Sequence, residues 1–213
     1  ETYFKYMHEH APADIEPTLD QLTAVEHILK GGFAPYVDFA IFGPHGDRIQ
    51  RALQLTGLVF GHDNTLQRRE LRGPPCVESW TRCFNVFACA MIMLDAVLPP
   101  IIHRYRDFII KQVTDYGRDC WAMIYQADAR FRREHLGRML HIASDDLNRA
   151  QAANREHPYS LDKPWNYILH IAAKEEEFWR DNVYVPCLLV LNRIRHPTSY
   201  VDGNAMICDS PLE

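Results

Sequence analysis

Three side chains fit for acid–base and anion chemistry, Asp128, Arg132 and His135, recur at i, i+4 and i+7 in the stretch CWAMIYQADARFRREHLGR (120–138). That spacing predicts a helix with all three on one face. Measured from Trp121, they fall within about 60° of the apolar Ile124, Tyr125, Met139, Ile142 and Ala143. An Asp that orients a His makes a general base, and an Arg beside them clamps an anion. The trio is thus a candidate site for a small enzyme. The competing reading is a structural network in which Asp128 and Arg132 cancel and His135 caps the pair. Burying three polar side chains costs free energy unless they satisfy one another. The structural network is the preferred reading, since no nucleophile elbow, P-loop or GxGxxG run accompanies the trio. Gly43-Pro44-His45-Gly46-Asp47-Arg48 has the look of a phosphate loop, but Pro44 removes an amide donor that such a loop uses.

The outer face of the same helix carries Arg130, Arg133 and His141, with Arg138 to one side. Arg104, Arg106 and Lys111 precede it, and Arg68, Arg69 and Arg72 come from an earlier segment. If these surfaces adjoin, they form a basic patch able to hold the phosphates of RNA or DNA. The alternative is an ordinary solvated face laced with pairs such as Arg130–Glu134. Metal chemistry has little support. His8-Glu9-His10 lies in a short acidic end, His45 and His62 sit in expected turns, and no HExxH or zinc spacing occurs. No metal and no cofactor are expected. Glu175-Glu176-Glu177 suits the start of a helix. Trp80, Trp121, Trp165 and Trp179 fall at apolar positions, as core anchors do.

The elements that must position these residues are mostly helical. Leu19, Leu22, Val25 and Ile28/Leu29 predict a helix over 18–30, stopped by Gly31-Gly32. Residues 36–42, YVDFAIF, read as a strand. Residues 52–60 and 65–72 read as two more, paired as a hairpin across Gly61-His62-Asp63-Asn64; a helix over 47–55 is the competing reading. Helices follow over 78–97, 101–116, 118–151, 164–173 and 174–194, the last kinked or restarted at Pro186. The expected fold is mostly α (α+β): five to six bundled helices with a small antiparallel hairpin or three-stranded sheet near residues 36–72. The expected organisation is an acidic helical arm (1–32), a small β portion (33–73), a helical core (74–195) and an irregular tail (196–213), together one compact domain.

A chain of 213 residues with 47% hydrophobic and 24% charged residues can bury a full core without staples. A net charge of −5 argues against a protein that coats nucleic acid over its whole surface, yet permits a local basic patch. The cysteines, Cys76, Cys83, Cys89, Cys120, Cys187 and Cys208, form no CxxC pair. Four lie in apolar helical stretches, so reduced thiols and an intracellular location, cytoplasmic or nuclear, are expected. The longest apolar run, Val86–Leu94, is too short to span a bilayer, which takes about 20 residues, so no membrane partner is expected. The chain opens on Glu1 rather than Met and is expected to be an excerpt of a longer one.

Four segments together resemble uncharacterised gag-like, retroelement-associated proteins predicted from dinoflagellate genomes: PYVDFAIFGPHGDRIQRALQLTGLVF (35–60), GPPCVESWTRCFNVFACAMIML (73–94), CWAMIYQADARFRREHLGRM (120–139) and DKPWNYILHIAAKEEEFWRDNV (162–183). The resemblance covers roughly residues 35–190. It implies a non-enzymatic, capsid-like structural or interaction domain that associates with itself and sits near nucleic acid. It brings no catalytic residues. This sequence departs from a full gag pattern in having no CCHC zinc knuckle, so RNA or DNA binding would rest on the arginine surfaces. Two other classes stay open: a small enzyme at Asp128/Arg132/His135, and a nucleic-acid-binding module using Arg68, Arg69, Arg72, Arg104, Arg106, Arg130, Arg133 and Arg138.

Overall fold

The structure is a computed structural model that describes residues 1–44, 53–61 and 65–195. Among the described residues it is mostly helical with one antiparallel hairpin, the fold class that the periodicity predicts. The competing helix over 47–55 falls largely outside the described residues, as do His45, His62 and the tail 196–213.

A short α1 (Thr2–Met7) buries Tyr3 and was not anticipated by the pattern. In α2 (Leu19–Lys30), Thr18 and Gln21 form a reciprocal capping box that satisfies two amides at the helix start. The Gln21 amide also donates to the Gly43 carbonyl at 2.8 Å, which pins the following loop. The hairpin pairs β1 (Gln54–Phe60) with β2 (Leu66–Arg72), Gln54 opposite Arg72 and Phe60 opposite Leu66.

The expected first strand is absent. Residues 36–42 run extended and then turn, with the Ile41 and Phe42 amides both donating to the Asp38 carbonyl. Among the described residues the sheet is therefore two-stranded, not three-stranded. The alternation that mimicked a strand holds from Tyr36 to Phe39, with Val37 and Phe39 buried, and ends where Ala40 is buried too. Other groups replace a ladder partner: Val37 and Phe39 offer their carbonyls to Arg132 and Cys83 side chains, and Ala40 offers its own to the Leu53 amide.

The central α3 (Val77–Met93) is apolar nearly all round and buried along most of its length. It stops before residue 97 because Asp95 takes a left-handed conformation (φ 56°), with the Ala96 amide returning to the Met91 carbonyl. Pro99 and Pro100 occupy the first turn of α4 (Pro99–Tyr116), where their missing N–H groups are harmless. Beyond a 3₁₀ turn, Arg118–Cys120, the long α5 runs through Trp121–Arg130, a π-helical stretch Phe131–His135, and Leu136–Ala152. Then come α6 (Pro164–Ala172) and α7, which joins Glu176–Trp179, a π turn Arg180–Tyr184 and Val185–Arg195. The π turn of α7 sits immediately before Pro186, whose ring has no N–H to give the ladder. The helix passes through Pro186 by widening.

One buried cluster reaches from Tyr3 to Val190 and holds all four tryptophans. Helix α3 packs on α1, α2 and α4, while α5 packs on β1, α4, α6 and α7. No helix among the described residues is long and apolar enough to cross a membrane.

Candidate functional site

Asp128 and Arg132 both lie on α5, one turn apart, with 0% and 1% of their surface exposed. The Arg132 Nε–H is shared between the two Asp128 oxygens at 3.1 Å, and Nη2 donates to Oδ2 at 2.8 Å. Trp80 Nε1 of α3 donates to the same Oδ2 at 2.8 Å, and the Tyr105 hydroxyl of α4 donates to Oδ1 at 3.0 Å. Arg132 Nη1 donates to the Val37 carbonyl at 3.2 Å, and its guanidinium lies 4.0 Å from the Phe39 ring centre. Three helices and the 36–42 segment thus converge on one carboxylate.

The electrostatics follow from the sealing. Burial pulls the Arg132 pKa down, but the charge and hydrogen bonds of Asp128 outweigh it and the pKa rises. Burial, together with the Asp128 charge, pushes the Tyr105 phenol well above its usual value and keeps it a neutral donor. A carboxylate with four donor groups and no exposed surface has no face left for substrate.

His135 does not cap this pair. Its Nε2 lies 3.2 Å from Glu175 Oε2, and its ring packs on Phe131 and Phe178. The cause is the π-helical stretch Phe131–His135. It takes one residue more per turn, which turns everything beyond it by about 100° relative to a regular α-helix. His135 leaves the inner face, and Ile142, expected inside, is 60% exposed. Met139 and Ala143 stay buried as expected, and Leu136 and Leu147 join them on the inner face.

The arginines separate into groups. Arg104 meets His170, and Arg106 meets Asp107 and Asn85, on a part of α4 that shares no cleft with the others among the described residues. Arg68 and Arg69 are exposed on β2, where Arg69 donates to Gln67. Arg72, Arg130 and Arg133 do converge, lining a cleft of about 450 Å³ between β2 and α5. Arg130 also lines a second cleft with Arg138, between α5 and α7. Carboxylates interleave with them: Asp38, Glu134, Glu175, Glu177 and Asp181 line the same two clefts. Arg130 is engaged by Glu134 at 3.3 Å and by Asn182 at 3.0 Å. Among the described residues no three His, Cys, Asp or Glu side chains gather as metal ligands would.

The partners that complete the buried pair, Trp80 and Tyr105, are absent from the trio predicted from spacing. Their signal was the polar handle of Trp and Tyr, since a buried indole N–H or phenol needs an acceptor. Comparison with protein-family models, with curated proteins and with solved structures gives no match.

Proposed function

We propose that this chain is a non-enzymatic structural domain that works by associating with copies of itself, as the gag-like resemblance implies. The observation that carries the reading is an exposed row on the regular part of α7, Val185, Leu188, Asn192 and Arg195, spaced i, i+3, i+7 and i+10, with Asp181 exposed in the π turn that precedes it. Val185 and Leu188 are 43% and 37% exposed, and Leu189 beside them 43%. An apolar strip on a helix face marks an interaction site. Its two ends carry opposite charge, with Glu177 and Asp181 before it and Arg195 after it. A second copy, antiparallel about a two-fold axis near Leu188, brings the acidic start of each α7, where Arg180 bridges Asp181 at 2.8 Å, towards the Arg195 end of the other, with leucine against leucine in the middle. The sealed Asp128–Arg132 pair supports the non-enzymatic half of the reading.

Sedimentation equilibrium over a concentration series tests it. The expected result is a mass that rises from monomer to dimer or beyond, and a strict monomer at every concentration contradicts it. A second reading, binding of RNA or DNA, is favoured by the convergence of Arg72, Arg130, Arg133 and Arg138. The interleaved carboxylates favour a local anion site over a track for a long backbone.

A further inference from the structure

The cleft between β2 and α5 contains a polar group that binds nothing among the described residues. Tyr125 is 5% exposed, and its hydroxyl has no hydrogen-bond partner among the described residues. Its ring lies close against Gly73, where an added Cβ would come 2.1 Å from Cε1 and 2.7 Å from the hydroxyl oxygen. Only glycine leaves room for the phenol, and the positive φ of 148° at Gly73 sets the backbone accordingly. Buried hydroxyls are almost always hydrogen-bonded, so an orphan lining a cleft points to an acceptor that arrives from outside.

Among the described residues, two guanidiniums line the same cleft without carboxylate partners. Arg72 makes no ion pair among the described residues, and Arg133 rests against the Tyr36 ring at 5.9 Å. Arg130 is paired with Glu134, and one Asp38 oxygen accepts from the Ala40 amide, which leaves Asp38 as the one carboxylate lining the cleft with no ion pair among the described residues. Two unpaired cations and one unpaired hydroxyl suit an acceptor-only group with several oxygens. The volume of about 450 Å³ exceeds what a bare ion fills, and Tyr36 lines the cleft as an aromatic neighbour beside Arg133.

We propose that this cleft binds a nucleotide unit by its phosphate, with Arg72 and Arg133 clamping the phosphate oxygens and the Tyr125 hydroxyl donating from the floor. The site deepens the nucleic-acid reading without depending on it, because a free nucleotide can occupy it even if no long strand binds. It is independent of the self-association reading.

Calorimetric titration of the full chain with adenosine 5′-monophosphate, with inorganic phosphate and with a short single-stranded RNA lacking terminal phosphates tests the proposal. Saturable binding of the mononucleotide or the RNA is expected, with inorganic phosphate weaker. Binding of the mononucleotide alone assigns a free ligand, and binding of the RNA assigns a strand. Tyr125→Phe removes only the orphan oxygen, and Arg72→Gln and Arg133→Gln keep the length of the clamp. Each is expected to weaken binding by about tenfold, the loss of one charge-assisted hydrogen bond. The exposed Arg72→Gln serves if Tyr125→Phe fails to fold. No binding of either organic probe at millimolar concentration overturns the proposal, and so does binding that these substitutions leave unchanged.

Discussion

Trp80 and Asp128 meet across two helices, 48 residues apart in sequence, through an indole N–H that donates at 2.8 Å to a carboxylate with no exposed surface. That bond and the Tyr105 hydroxyl make Asp128 the junction of α3, α4 and α5. Removing either member of the Asp128–Arg132 pair leaves the other charge buried and unmatched. Asp128→Asn and Arg132→Met are each expected to lower stability by about 3–5 kcal/mol. The double variant is expected to lose much less than the sum, which urea denaturation of the full cycle reads directly.

A second polar junction, Tyr6–Asp95–Lys163, ties α1 to the start of α6 and should make a small contribution to the pH dependence of stability. Lys163 Nζ lies 2.6 Å from Asp95 Oδ1 and 3.0 Å from the Tyr6 hydroxyl. The hydrogen bonds from Lys163 and Tyr6 hold the Asp95 pKa below its ordinary value. Its contribution is therefore present above the unfolded carboxylate pKa and lost as pH falls through the folded one. The bonds to Asp95 and Tyr6 raise Lys163, whose contribution is complete below the unfolded lysine pKa and lost as pH rises through the folded value. The pair is partly exposed, so Lys163→Met should cost only about 0.2–1 kcal/mol near neutrality. It should also flatten the acid limb of the stability curve measured by urea denaturation at several pH values.

The hairpin packs on α5 with no spare room at Gly57. A Cβ on Gly57 would lie 2.0 Å from the Ala122 Cβ. Gly57→Ala is expected to cost about 1–3 kcal/mol through overpacking and strand displacement. Ala122→Gly in the same chain should recover part of that loss, and thermal melting of the two single variants and the double distinguishes overpacking from a backbone effect.

Thiol reactivity should follow burial. Burial pushes the Cys89 thiol up to about 12, with a minor contribution from Glu16, so it stays protonated at neutral pH. Cys83, Cys120 and Cys187 are likewise buried, and Cys76 is only half-buried. Among these five, a thiol-exchange reagent with mass-spectrometric mapping is expected to label Cys76 first and the others only on denaturation.

The long helix was legible from its period, and so was the Asp128–Arg132 pair, because i, i+4 spacing and an apolar surround fix both. The widening at Phe131–His135 was not legible. No residue type encodes a π turn, and here it accompanies tertiary stacking of Phe131 on Trp179 at 4.7 Å and on Tyr105 at 6.1 Å. Its consequence, the departure of His135 and Ile142 from the inner face, was therefore invisible to a 100° wheel. The 36–42 segment shows a different limit: alternation reports which side chains are buried, whereas a strand also needs a ladder partner. The convergence of Arg72 with Arg130 and Arg133 depends on how the hairpin sits on α5, which local spacing does not contain.

Self-association through α7 is tested most directly by exchanging the charges at its two ends. Sedimentation velocity should show that Asp181→Lys and Arg195→Glu each weaken association, by about 1 kcal/mol or less for an exposed pair, and that the double reversal restores it. Single variants that associate like the natural chain, or a double variant no stronger than either single, would contradict an antiparallel α7 interface.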